Sequence, residues 1–182
     1  MLNWLAKRAD VARKADNLYG AVVAQARQPS FYADFGIPDT LEGRYEMIVL
    51  HLFLVLERLR QATPDDTKLS RALIERFVTD MDDCMREIGV GDLTVPKRVK
   101  KAAAVLYKRA DAYREALAAG PDALDATLGE MFSELPAGNI RTPGLSRYVG
   151  AAIEALNGQD LQQIIRDAPA FPAPGRFAEG KE

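Results

Sequence analysis

The sequence predicts an all-α fold, a single-domain irregular bundle of about six to seven helices, and three observations predict it. Apolar residues recur at helical spacing over long segments, β-branched residues alternate over no useful length, and Gly or Pro punctuation falls between the periodic segments. With 48% hydrophobic and 27% charged residues in a length of 182, the chain has a globular composition. At that size it can bury roughly 70% of the surface its unfolded form exposes, without a disulfide or metal staple.

The first helical segment runs from about Leu2 to Ala26 and stops before Gln28-Pro29, because a residue preceding proline disfavours the α region. Phe31 to Pro38 reads as a loop. Asp39-x-x-Glu42 has capping-box spacing and opens the most apolar helix, Arg44 to Arg60. Apolar residues from Ile48 to Leu59 surround almost the whole circumference of that helix, which marks it as buried. Pro64 with Asp65 and Asp66 starts a third helix, which runs to Ile88 and stops at Gly89. Its inward side holds Leu73, Ile74, Phe77, Val78, Met81, Met85 and Ile88, with Cys84 in the same arc. Gly91-Asp92 makes a turn, and Pro96 opens a fourth helix that ends near Gly120-Pro121. Its core face is Val99, Ala103, Leu106, Ala110, Tyr113 and Leu117. Shorter helices follow at about Asp122 to Phe132, Leu145 to Leu156 and Asp160 to Arg166. After Pro169 the run Phe-Pro-Ala-Pro-Gly-Arg is too proline-rich to pack. Residues 1–168 are therefore expected as the helical domain and residues 169–182 as a disordered tail.

Composition excludes several function classes. With 24 basic and 26 acidic residues the net charge is −2, so nucleic-acid binding would have to be local. The longest apolar stretch, Met47 to Leu56, is ten residues and contains His51, whereas a bilayer-crossing helix needs about 20. Residues 1–20 mix Lys7, Arg8, Arg13 and Lys14 with Asp10 and Asp16 and lack an apolar core, so no secretory signal is expected. The chain reads as bacterial and cytoplasmic. One Cys and one His leave no disulfide and no zinc cluster. A phosphate loop, a Rossmann glycine fingerprint and a paired-histidine motif are all missing, so no cofactor is expected.

Four groups of residues are candidates for chemistry. Arg44, His51 and Arg58 lie seven apart, so they stack on one face of the apolar helix; they are either satisfied polar-edge residues or a cationic stripe for a partner's carboxylate. Asp80, Asp83 and Glu87 share a face of the third helix, a spacing that an Mg²⁺-dependent isoprenoid-diphosphate enzyme would use. Arg76 before Asp80 and Arg86 after Asp82 offer these acids helical salt-bridge partners instead. Six basic residues and no acid lie between Pro96 and Arg109. Lys97, Lys101 and Lys108 stand opposite the core face of their helix, either as a solvated face or as a patch for anionic lipid or ribosomal RNA. Trp4, Val11 and Leu18 repeat by seven and read as a stripe packed on the bundle, with an interfacial helix as the alternative.

Four blocks occur in order: Tyr19 to Arg27 with Pro29-Ser-Phe-Tyr32; Ile37-Pro-Asp-Thr40 with Gly43-Arg-Tyr-Glu-Met47 and His51; Asp80-Met-Asp-Asp-Cys-Met-Arg-Glu-Ile-Gly-Val-Gly-Asp92; and Val95-Pro-Lys-Arg-Val-Lys-Lys101. Together they resemble the ubiquinol-cytochrome c chaperone family, from about Leu18 to Leu117. Lys108 departs from the pattern, standing where many members carry Gly. The resemblance implies an assembly factor of the cytochrome bc1 complex, not an enzyme, which binds newly made cytochrome b. Mitochondrial relatives act with a small partner protein at the ribosome exit, so the implied partners are cytochrome b or its nascent chain, a small protein, the ribosome and an anionic membrane surface. Placed at the inner face of the plasma membrane, such a protein would use Arg44, His51, Arg58, Asp80, Asp83, Glu87 and Asp92 toward its client, and Lys97, Lys100, Lys101 and Lys108 toward lipid. The competing classes are the diphosphate enzyme and a plain ribosome- or RNA-binding module.

Overall fold

The most apolar stretch of the sequence becomes the axis of the fold. In the computed structural model, which describes residues 2–60, 66–135 and 140–178, helix α3 (Leu41–Arg60) buries every residue from Met47 to Val55. Its first turn is capped by Thr40, whose Oγ1 accepts from Gly43 N at 3.1 Å. The cap thus falls one residue later than the expected capping box, because the Asp39 carboxylate is taken by Arg44 Nε at 2.6 Å. Gly43 is required here, since a Cβ would stand 2.0 Å from the Pro38 carbonyl oxygen.

Around α3 the other helices form a cage: α1 (Leu2–Ala26), α4 (Asp66–Glu87), α5 (Val95–Ala119) and α7 (Thr142–Gly158) all pack on it. Neighbours in the cage also pack on one another, α1 on α4, α4 on α5, α5 on α6 (Pro121–Ser133), and α6 on α7. The short α8 (Leu161–Asp167) returns to α1, and Asp160 caps it by accepting from Gln162 N and Gln163 N, each at 3.3 Å. All described regular structure is helical, as expected, with eight α-helices and one 3-10 turn. The element beyond the expected seven is α2 (Pro29–Ala33), which occupies the start of the supposed loop. Pro29 pre-sets the first helical φ, and the turn drives Phe31 fully into the core against Phe35, His51 and Tyr148.

Helix α4 ends as the sequence indicates. Gly89 has φ +80°, its N–H donates to Arg86 O at 3.0 Å, and Val90 N donates to Met85 O at 3.0 Å, which together form a Schellman cap. That cap also corrects one core assignment. Ile88 sits beyond the last helical residue, where Gly89 turns the chain outward, and it is 53% exposed. Cys84 is half-buried with a free thiol, and Pro64 and Asp65, expected to open this helix, lie outside the described residues.

The proline-rich segment is packed, contrary to the expected tail. After the α8 cap, residues up to Ala178 return across α7, α3 and α1, with a 3-10 turn at Pro174–Arg176 against α2. Gln159 fastens the segment twice, accepting from Ala170 N at 2.8 Å and donating to Ala170 O at 2.7 Å. Prolines fix this segment's φ, and Phe171 and Phe177 supply the apolar area that the composition-based reading left out of account. Residues 179–182 of the expected tail lie outside the described residues. No described helix is long and apolar enough to cross a membrane.

Candidate functional site

The line Arg44, His51, Arg58 is not a cationic surface. His51 is fully buried, with Nδ1 2.8 Å from Met47 O and Nε2 2.7 Å from Tyr148 Oη. A carbonyl only accepts, so Nδ1 carries the proton and Nε2 accepts from the Tyr148 hydroxyl. Tyr148 Oη in turn accepts from Gln25 Nε2 at 3.0 Å, which also donates to Pro172 O at 3.2 Å. The rings of Phe31 and Phe171 close over the imidazole at 5.2 and 5.4 Å between centroids. Burial pushes the His51 pKa down to about 4, with the bond to Met47 only partly opposing, so the ring is neutral near pH 7. His51 therefore meets no partner's carboxylate; it ties α1, α3, α7 and the C-terminal segment together. Arg58 is likewise committed, donating to Leu156 O at 2.9 Å and Gln159 O at 3.0 Å at the end of α7. Arg44 stays exposed, but its Nε holds the Asp39 carboxylate, which that bond keeps below its usual range.

The acidic residues also divide. Asp80 accepts from the Tyr19 hydroxyl at 2.8 Å and lies 4.0 Å from Arg76, whose Nε is closer to Asp16 at 3.1 Å. Arg86 bridges Asp82 at 2.6 Å and Asp92 at 2.5 Å, holding the turn after α4 against the helix. Asp83 and Glu87 are exposed and form no ion pair with any described residue. Among the described residues no three His, Cys, Asp or Glu side chains gather as a metal site, so Asp80, Asp83 and Glu87 do not converge as the diphosphate-enzyme reading requires.

The basic run on α5 sorts by helical angle. Arg109 lies on the inner side, nearly buried, donating to Glu46 at 3.1 and 3.3 Å and to Glu134 at 2.9 Å. Burial pushes the Glu46 carboxyl up against the pull of Arg109, while the two carboxylates hold Arg109 charged despite its own burial. Lys97, Arg98, Lys100, Lys101 and Lys108 are exposed and pair with no described acid. The first four, with Thr94 and Ala104, line an open cleft of about 530 Å³ at the start of α5. That helix has no acidic residue in its first turn, so its positive end adds to the field of the side chains. Beside the cleft Leu93 is 99% exposed.

Sequence reasoning missed Leu93 and did not place Arg98 among the lipid-facing residues. The signal available for Leu93 was its position, an aliphatic residue inside the turn Gly91 to Thr94 and outside every helical stripe. The α1 stripe is split: Leu18 is buried and Val11 half-buried, but Trp4 is 62% exposed with the Arg8 guanidinium 5.7 Å from its ring.

The arrangement is a helical body that carries exposed, unpaired charges on its outside, among them the carboxylates of Asp83 and Glu87 at the end of α4 and a row of cations on α5. The sequence profile of the family described as Ubiquinol-cytochrome C chaperone matches residues 33–171. No curated protein sequence matches the chain. The structure is similar to the crystal structure of the Cbp3 homolog from Brucella abortus, with a TM-score of 0.80 and 34% sequence identity, covering 96% of this chain and 98% of that one.

Proposed function

The chain belongs to the ubiquinol-cytochrome C chaperone family, which places it in assembly of the bc1 complex, and we propose that the client it holds is newly made cytochrome b. The observation that supports this reading is the sorting of charge. Asp80, Asp82 and Asp92 are consumed by internal partners, whereas Asp83 and Glu87 stand exposed at the end of α4 with no described ion-pair partner. Membrane proteins carry an excess of Lys and Arg in their cytoplasmic loops, so an unassembled cytochrome b would present the complementary sign. The chaperone would work at the inner face of the plasma membrane, with the cationic face of α5 turned to anionic lipid. Long-range attraction guides the encounter, and like charge in the same place repels it.

Crosslinking pull-down from respiring cells tests the proposal. Cytochrome b should be recovered with the wild-type chain, and Asp83→Lys with Glu87→Lys should lower that recovery by about tenfold or more, because like-charge juxtaposition costs several kcal/mol and each ~1.4 kcal/mol is tenfold. Both residues are exposed, so the unfolding free energy of the double variant from urea melts should stay within about 1 kcal/mol of the parent, about 0.5 for each substitution. Unchanged recovery would remove the acidic contact. Normal bc1 levels in cells lacking the chain would remove the function, and sedimentation with ribosomes in cells lacking cytochrome b would favour the RNA-binding reading.

A further inference from the structure

Resting on the reading that the cationic face of α5 turns to anionic lipid, we infer that the turn between α4 and α5 enters the bilayer through Leu93 while Lys97, Arg98, Lys100 and Lys101 take the phosphate headgroups. Three independent features converge on this turn. Leu93 is 99% exposed, and Ile88, at the other end of the turn, is 53% exposed. The turn is braced, with the Schellman cap behind it, Arg86 bonded to Asp92 at 2.5 Å, and Thr94 N and Val95 N donating to Gly91 O at 2.8 and 3.3 Å. Leu93 is thus held out by a hydrogen-bonded frame. The four cations line one open cleft next to it, and none pairs with a described acid.

These features favour a lipid surface over a nucleic acid. An aliphatic tip gives a base nothing to stack on, whereas a bilayer removes the leucine from water at the depth where its headgroups meet the cations. Asp92, the carboxylate next to Leu93, is bonded to Arg86, which leaves Glu87, one residue before Ile88, as the unpaired carboxylate nearest the turn in sequence. The buried Val95 and Val99 anchor the inner side of α5, so the cationic side can face outward without loosening the core.

The full chain is tested on vesicles of phosphatidylcholine alone and of phosphatidylcholine mixed with phosphatidylglycerol. It should sediment with the mixed vesicles only, and added salt should release it. Leu93→Asp should weaken that binding by about tenfold or more, the scale of one leucine left in water. Lys97→Glu with Lys101→Glu should abolish it. In a Trp4→Phe background, a Leu93→Trp probe should shift its emission to the blue on mixed vesicles and be quenched by brominated acyl chains. Wild-type-like sedimentation of Leu93→Asp with an unshifted probe overturns the insertion while leaving the electrostatic contact in place. Failure of the wild-type chain to sediment overturns both. Release from vesicles by a short RNA hairpin that the chain binds more tightly assigns the cleft to nucleic acid instead.

Discussion

His51 enters the folded chain without its charge, and that decides how acid acts on the protein. Burial sets its pKa near 4 against an ordinary 6.5, so between those values the unfolded chain takes up a proton that the folded chain refuses. Stability from this residue is complete above about pH 6.5 and drains away toward pH 4, on the order of 3 kcal/mol in all. Comparing wild type with His51→Gln cancels the other titrating groups, and the two urea midpoints should converge as pH falls from about 7 to about 5. Parallel midpoints would mean the imidazole takes up its proton in the folded state as well. The sequence placed His51 correctly on a line with Arg44 and Arg58, but what covers the middle of that line could not be read locally. Its partner Tyr148 is 97 residues away, and only the packing of α7 on α3 brings the two together.

Helices were legible where their punctuation is local. The end of α1 before Gln28-Pro29, the stop of α4 at Gly89 and the break at Gly120, with φ +117°, follow from backbone chemistry within a few residues. Helix α2 was not, because a five-residue helix is too short to show a period. Within α5 the basic run looked uniform along the sequence, yet helical rotation splits it into an outer row and Arg109, which neutralises buried Glu46. Arg109→Ala should therefore destabilise the fold by about 3 kcal/mol, since it strands a buried carboxylate. Arg109→Met with Glu46→Leu should recover most of that loss in urea melts. A mild effect of the single variant would place the pair in effectively open solvent.

Taken whole, the molecule is a cage around α3 with a C-terminal clasp, and the clasp is what composition concealed. Proline content argued for disorder, but Phe171 lies edge-on to His51 and Phe177 edge-on to Tyr148, at 5.4 and 5.9 Å. Gly144 leaves room for this crossing, as a Cβ there would come within 2.8 Å of Phe177 O. Phe171→Ala should cost about 1–2 kcal/mol, because the ring is only half-buried, and lower the melting temperature by roughly 3–6 °C. An unshifted melt would show that the clasp rests on the bundle without supporting it. Lys97, Lys100, Lys101 and Lys108 are exposed, but the line through His51 is not a surface, and which charges remain free depended on distant partners such as Tyr19 for Asp80. The bond from Gln25 to Pro172 joins positions 147 apart, so α1 cannot finish its polar contacts until residue 172 has been made and has emerged. Completion of α1 thereby waits on synthesis of the clasp.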